Sequence, residues 1–339
     1  MDLTGFQTHP GNSTETPVIS FHHRAIVASV LIALTIIGLF GNGLVILSVI
    51  VAKKLRTVTN ILVVNLAFAD LVTCSLQPFL SLGLLSQTGR YPLHEAVCAT
   101  VAGVMFTCLC SSGSTLVAIA VVRWYVITRS VRAYQGIHTP KKIVTVVVNI
   151  WILSVAFMVV PPVLGFGTLG YSKYYGLCSF SDTNSYYFYS VIFQAILLVT
   201  ALLLNVTFYI LILRHVVRHN RQIQNMIGII EISRSSTLQG CQNEASSVPR
   251  GRRPPKIQAI NKMEVEITKN LFIVVCVFIL CFLVHSVNLV IPGTSIASLY
   301  GYIILLANSV VNPIIYGLKH PNFQGVFKNI LCCRQLDQG

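Results

Sequence analysis

The chain has 339 residues, of which 54% are hydrophobic and only 10% charged, and its formal net charge is +14. Globular proteins average about 25% charged residues, so this composition and a mean hydropathy of +0.73 exclude one large water-soluble core. The same apolar content excludes disorder over most of the length, and ten cysteines lying mostly inside apolar runs exclude a small disulfide-stapled scaffold.

Residues 1–24 form a polar tail with Asp2, Pro10, Glu15 and Pro17 and no basic segment ahead of an apolar stretch, so they do not read as a cleavable signal. Apolar runs long enough to cross a bilayer follow at 25–52, 59–86, 97–126, 143–166, 186–213, 268–292 and 296–317. These runs do not alternate as barrel strands would, so helices are expected. The small polar residues Ser111, Ser112 and Ser114 in the third run are the kind that helices bury against one another. The expected architecture is an all-α membrane protein, a seven-transmembrane helix bundle over 25–318, with a short amphipathic eighth helix and tail over 319–339.

Charge orients the bundle. Twenty-one of the 24 Lys and Arg fall after spans one, three and five, in the tail, or (Arg123 and Lys269) at the adjoining span ends, and only Arg24, Arg90 and Lys173 fall on the other side. Basic loops stay cytoplasmic, so the N-terminus is expected outside and the C-terminus inside. The basic excess then reads as a topology signal and an attraction to anionic membrane lipid, with no nucleic acid as partner. Asn12-Ser13-Thr14 is a glycosylation sequon in the outer tail, whereas Asn205-Val206-Thr207 lies inside a span and should be silent. Cys98 and Cys178 both fall outside, where oxidising conditions permit a bridge from the top of span three to the loop before span five. Cys74, Cys108, Cys110, Cys276 and Cys281 read as small buried packing residues. The inner loop at about 214–265 is polar, basic and proline-containing, and reads as partly disordered. Ser233, Ser235, Ser236 and Thr237 beside Arg234 are candidate phosphorylation sites. Cys332 and Cys333 close the amphipathic stretch, where palmitoylation would add a second membrane signal.

Span-specific motifs carry a resemblance. Span one has Gly41-Asn42, and span two has Asn65-Leu66-Ala67-Phe68-Ala69-Asp70-Leu71. Span three opens at Cys98 and ends at Arg123, span four has Trp151 and Pro161, and span five has Tyr209. Span seven has Asn312-Pro313-Ile314-Ile315-Tyr316, followed by Phe323 and Phe327. Over about 25–333 the chain resembles a rhodopsin-like (class A) G-protein-coupled receptor. A weaker likeness, in the absent span-five proline and the Ile314-Ile315-Tyr316-Gly317-Leu318 segment, is to melatonin receptors.

The resemblance implies roles for matching residues. Asp70 is the only carboxylate inside a span, and an ionisable group there is a functional hypothesis by default. Relatives bind sodium at that aspartate, with Ser112, Asn308, Ser309 and Asn312 around it; oxygen-rich surroundings suit a hard cation. A protonated Asp70 hydrogen-bonded to Asn42 and Asn312 is the alternative. Arg123 would face the G protein when released, Glu264 would restrain it, and Tyr209 and Tyr316 would swing toward it as Pro313 lets span seven bend. Plain readings stand beside these: a snorkelling arginine at a span end and interfacial tyrosines.

The chain also departs from the family pattern. The aspartate usual before the arginine is Val122, the span-six tryptophan is Phe282, the proline two residues on is Val284, and the span-five proline is Ala201. The missing prolines leave backbone hydrogen bonds intact where bends are usual. The expectation is a higher basal output or a modified motion.

The outer halves of the spans offer Gln77, Met105, Phe106, Gln194, His285, Asn288 and Tyr302, a largely apolar set with a few uncharged polar groups. Met105 stands where amine receptors place an aspartate, which disfavours an aminergic ligand. No lysine lies between Lys269 and Lys319, and Leu306 holds the opsin position, which disfavours covalent retinal. The expected ligand is an extracellular small molecule, uncharged or weakly polar. The expected partners are a heterotrimeric G protein and arrestin, and the expected location is the plasma membrane. The chain is not expected to be an enzyme: an intramembrane aspartyl protease needs two apposed carboxylates. A transporter reading lacks a broken-helix pair and internal repeats. A receptor-like protein that no longer couples, or couples constitutively, stays within the same fold.

Overall fold

The computed structural model describes residues 19–128, 139–173, 175–180, 199–218, 269–284 and 295–332, with single residues 192, 196, 221 and 225. The helices are α1 (Phe21–Val51), α2 (Val58–Leu85), α3 (Glu95–Thr128), α4 (Pro140–Val163), α5 (Val199–Arg218), α6 (Lys269–Val284), α7 (Ser295–Lys319) and α8 (Pro321–Leu331). Among the described residues six of these are long and apolar enough to cross a membrane, and α6 is a shorter apolar helix. Each of the seven apolar runs of the sequence thus forms a helix over most of its described residues. A β-hairpin joins β1 (Leu169–Ser172) to β2 (Leu177–Phe180), antiparallel, with Tyr171 opposite Cys178.

Local chemistry sets the helix ends. Thr57 caps α2 by accepting from the Asn60 amide at 3.3 Å. Pro140 opens α4 at the position where a missing N–H costs nothing. His320 breaks the backbone between α7 and α8, and its carbonyl accepts from the Phe323 and Gln324 amides at 3.1 and 3.0 Å.

The bundle exposes apolar side chains and buries a mainly apolar core that also holds most of the polar side chains of the spans. On α1 the buried residues Val27, Leu31, Thr35, Gly38, Asn42, Val45 and Ser48 recur every three or four positions and form one face. Ile36 and Phe40 on the opposite face are exposed, as lipid contact requires. α1 packs on α2 and α7, α2 on α3, α4 and α7, and α3 on α4 and the hairpin. α8 folds back against α7 and α1, burying Phe323, Val326 and Phe327.

Several expectations are corrected in detail. Span four ends at Val163 rather than 166, where Pro161 and Pro162 terminate its hydrogen-bond ladder. The inner loop does not begin at 214, because α5 continues to Arg218. Cys276 is not a buried packing residue: it lies exposed on α6, while Cys110 is half-buried and Cys74, Cys108 and Cys281 are buried. Lipid is as apolar as a protein interior, so an apolar run does not by itself say which side of a helix faces in.

Close approach between helices rests on glycine. A Cβ at Gly38 would lie 2.2 Å from Cys74 Sγ and 3.3 Å from Val310 Cγ2, and one at Gly41 would lie 2.9 Å from Pro313 Cβ. Gly38→Ala is therefore expected to lower the melting temperature of the purified protein, by the roughly 1–3 kcal/mol typical of overpacking. Adding Cys74→Ala, which removes the nearest obstructing atom, should recover part of the loss. Unchanged melting in the single variant would contradict the close packing of α1 on α2.

Candidate functional site

The polar groups that cannot face lipid gather along the bundle axis. Asp70, on α2, is 1% exposed. Asn312 Nδ2 on α7 donates to its Oδ2 at 2.7 Å, Ser112 Oγ on α3 donates to its Oδ1 at 3.3 Å, and the Ser309 hydroxyl hydrogen-bonds the same carboxyl. Asn42 does not reach Asp70; it donates to Ser309 O at 2.8 Å and Gly38 O at 3.0 Å, tying α1 to α7. Asn308 is buried nearby on α7, and the Oδ1 atoms of Asn42 and Asn308 have no hydrogen-bond partner. Asn65 donates to Thr115 Oγ1 at 2.8 Å and accepts from Trp151 Nε1 at 2.8 Å, so one side chain joins α2, α3 and α4.

A second cluster lies at the inner end. Arg123 is 5% exposed, and its charge acts on both Tyr209 and His320. Tyr209 packs its ring 5.2 Å from Phe272, and Tyr316 stacks 5.7 Å from Phe323; both tyrosines are buried. Val122 is buried in the apolar core beside Arg123. Asn270 Nδ2 donates to Lys319 O at 2.7 Å, tying α6 to the last carbonyl of α7. Pro313 sits inside α7 and meets α1 at Gly41. Phe282 is buried on α6 and stacks at 6.4 Å with Phe278, whose ring tip fills the space left by Gly113.

The outer end is roofed by the hairpin. The Cys98–Cys178 disulfide ties β2 to the top of α3. Tyr171 Oη donates to Gly83 O at 3.1 Å, and a Cβ at Gly83 would meet Gly176 O at 2.9 Å. Phe180 brings its ring to 5.3 Å from Phe106. Met105, Tyr302 and Leu306 are buried, and Gln77 accepts from Thr35 Oγ1 at 3.2 Å. Cys332 is exposed just beyond α8. Asn12, Gln194, Glu264, His285, Asn288 and Cys333 lie outside the described residues.

Sequence reasoning missed the hairpin, Asn270 and His320. The hairpin's signal was the glycine turn between two short segments of β-forming residues; Asn270 and His320 carried no motif.

A lipid-facing bundle with one carboxylate at its centre, a disulfide roof and a buried arginine near its inner end defines a helical membrane receptor. The family model described as "7 transmembrane receptor (rhodopsin family)" matches residues 41–316, and the chain belongs to that family. It is 25% identical over 94% of its length to "Rhodopsin, GQ-coupled" of Mizuhopecten yessoensis and spans 63% of that protein. It is 25% identical over 98% of its length to "Somatostatin receptor type 2" of Sus scrofa, spanning 84% of it. Squid rhodopsin shares the fold with a TM-score of 0.76 at 22% identity, over 98% of this chain and 92% of that one. These comparisons do not show the likeness to melatonin receptors.

His320 gives the inner cluster a pH signature. It lies between α7 and α8, its ring 5.0 Å edge-on to Phe323. Burial, and then the Arg123 charge, push the imidazole down to about 4 from its ordinary 6.5. The folded chain thus refuses a proton that the unfolded chain accepts, so this stability is complete above about pH 6.5 and is lost as pH falls toward 4. The loss is on the order of 3 kcal/mol. Thermal melts of the wild type should drop through that window, and His320→Asn should flatten the slope. Parallel pH profiles would contradict the burial of a neutral imidazole.

Proposed function

We propose that the chain is a multi-pass plasma-membrane receptor with an extracellular N-terminus that activates heterotrimeric G proteins. Its ligand is an extracellular small molecule, uncharged or weakly polar. The observation that carries the reading is the inner cluster. Arg123 is buried with its charge acting on Tyr209 of α5 and on His320 ahead of α8, so a movement of the helix ends changes the surroundings of the arginine. Motion of the inner ends of α5 and α6 would expose Arg123 to the G protein, and arrestin is expected on the same face. Glu264 is expected to restrain Arg123.

The ligand class follows from the outer residues. Met105, Phe106 and Tyr302, with Gln77 and the expected Gln194, His285 and Asn288, supply apolar area and neutral hydrogen-bonding groups. The likeness to the rhodopsins of Mizuhopecten yessoensis and squid does not extend covalent retinal to this chain, because α7 carries Leu306 and no lysine before Lys319. Asn12 is proposed as a glycan site and Cys332 with Cys333 as palmitoylation sites, which would hold α8 to the membrane. Val122, Phe282 and Val284 support a second reading, a non-coupling or constitutively active receptor-like protein.

Basal G-protein activation across all subtypes, at matched surface expression, separates these readings. Arg123→Ala is expected to change the signal, and Val122→Asp, which places a carboxylate beside the arginine, is expected to lower it. Silence of the wild type and Arg123→Ala with every neutral small molecule screened would favour the non-coupling reading.

Sodium fits the centre of the bundle. Asp70 with Ser112, Asn308, Ser309 and Asn312 offers oxygens, and the unpartnered Oδ1 atoms of Asn42 and Asn308 are acceptors of the kind a hard cation takes up. The ion would supply a positive charge that balances the buried carboxylate. Sodium chloride is expected to raise the melting temperature above that in choline chloride at equal ionic strength, and Asp70→Asn should remove the difference. Equal melting in both salts would rule out the site.

A further inference from the structure

Arg214 and Arg218 are four residues apart near the inner end of α5, which places them within about 40° of arc and about 6 Å of axial rise. Arg221 follows three residues after the end of α5 and meets them at one surface. With Leu213, Val217 and Asn225 they line a shallow cleft of about 580 Å³. All three arginines are exposed, Leu213 is 62% exposed and Val217 is 41% exposed.

The direction of this face decides what can occupy it. The buried residues of α5 are Leu202, Asn205, Tyr209 and Ile212. On a helical wheel Arg214 and Arg218 lie about 180° from their mean direction, so they point away from the bundle. A protein entering between the inner ends of the helices would meet the Tyr209 side, not the arginines. Arg214 is the first cation after the apolar run that begins at Val199, which sets the three charges at the depth where acyl chains give way to headgroups. Leu213 and Val217 beside them supply an apolar wall suited to acyl chain. From Val199 to Asn225 the sequence has no Asp or Glu, so α5 itself carries no counter-charge.

We propose that this cleft is a binding site for a polyphosphorylated lipid headgroup of the inner leaflet, a phosphoinositide, held by Arg214, Arg218 and Arg221. Guanidinium groups bind phosphate oxygens in bidentate fashion, and three of them lining one cleft match several phosphates on one ring better than the single phosphate of an ordinary acidic lipid. This differs from the general attraction of a basic inner surface to anionic lipid, which any lysine would serve.

The test uses the full-length protein in nanodiscs of phosphatidylcholine containing either 5% phosphatidylinositol bisphosphate or 10% phosphatidylserine, with bound lipid measured by native mass spectrometry after release. Wild type is expected to retain the bisphosphate at least tenfold more than phosphatidylserine. Each Arg→Gln change at 214, 218 or 221 should weaken retention about fivefold, and the triple variant about a hundredfold. Lys141→Gln with Lys142→Gln, at the inner start of α4, should stay within twofold of wild type. The proposal is overturned if the triple variant keeps its bisphosphate, if both lipids are retained equally, or if the lysine pair loses as much. It is also overturned if the triple variant retains lipid but loses G-protein activation in pure phosphatidylcholine discs, because the arginines would then serve a protein partner. None of the lipid readouts depends on whether the chain couples to a G protein.

Discussion

A solvent that cannot hydrogen-bond is the constraint from which the rest of this structure follows. Backbone groups in lipid must be satisfied within each segment, so the spans are helices. Side-chain polar groups must then either fold back on their own helix or meet another helix at the centre. Thr35, Ser48, Thr73 and Thr115 take the first route, each donating to the carbonyl four residues earlier. Asn42, Asn65, Asp70 and Asn270 take the second, and each makes a bond that joins two helices. The polar residues of the sequence therefore report helix contacts, whereas in a soluble protein they would report the surface.

With no hydrophobic force between helices in lipid, their contacts depend on small residues and on these few polar ties. Gly38 and Gly41 let α1 approach α2 and α7, and Gly113 lets α3 receive the ring of Phe278. The last contact bears on the departures in α6. Phe278 and Phe282 stack along one face of that helix and fill the space with two rings. The ladder of α6 between them has no proline to interrupt it, so a hinge in this helix would have to break a made hydrogen bond.

The spans and their order were legible because hydropathy over twenty residues is a strong signal, and the Cys98–Cys178 pair was legible because topology left both on the oxidising side. Asp70 was legible because a carboxylate inside a span is rare. The orientation of individual cysteines was not: Cys276 and Cys281 sit in the same apolar run, yet one is exposed and the other buried, because lipid and protein interior look alike to a hydropathy scale. The hairpin was hidden by its length, since two four-residue strands carry little pattern. His320 was hidden because its environment comes from the turn between α7 and α8 and from Arg123, nearly two hundred residues away in sequence. Of the outer residues the structure describes Gln77, Met105, Phe106 and Tyr302, and none of these carries a formal charge.

The balance at Arg123 brings these threads together. A buried guanidinium needs compensation, and the carboxylate usual beside it is replaced by a buried valine. Among the described residues its charge reaches Tyr209 and the His320 imidazole, which is kept neutral by burial and by the arginine itself, and Glu264 is the carboxylate proposed to restrain it. The tie from Asn270 to Lys319 adds a helix-to-helix restraint on α6. That bond uses the terminal carbonyl of α7, a group that has no partner within its own helix. It contributes about 1 kcal/mol, less than a buried ion pair costs to break. The tie at Asn270 thus acts on the separation of α6 from α7, whereas the valine at position 122 acts on the surroundings of Arg123.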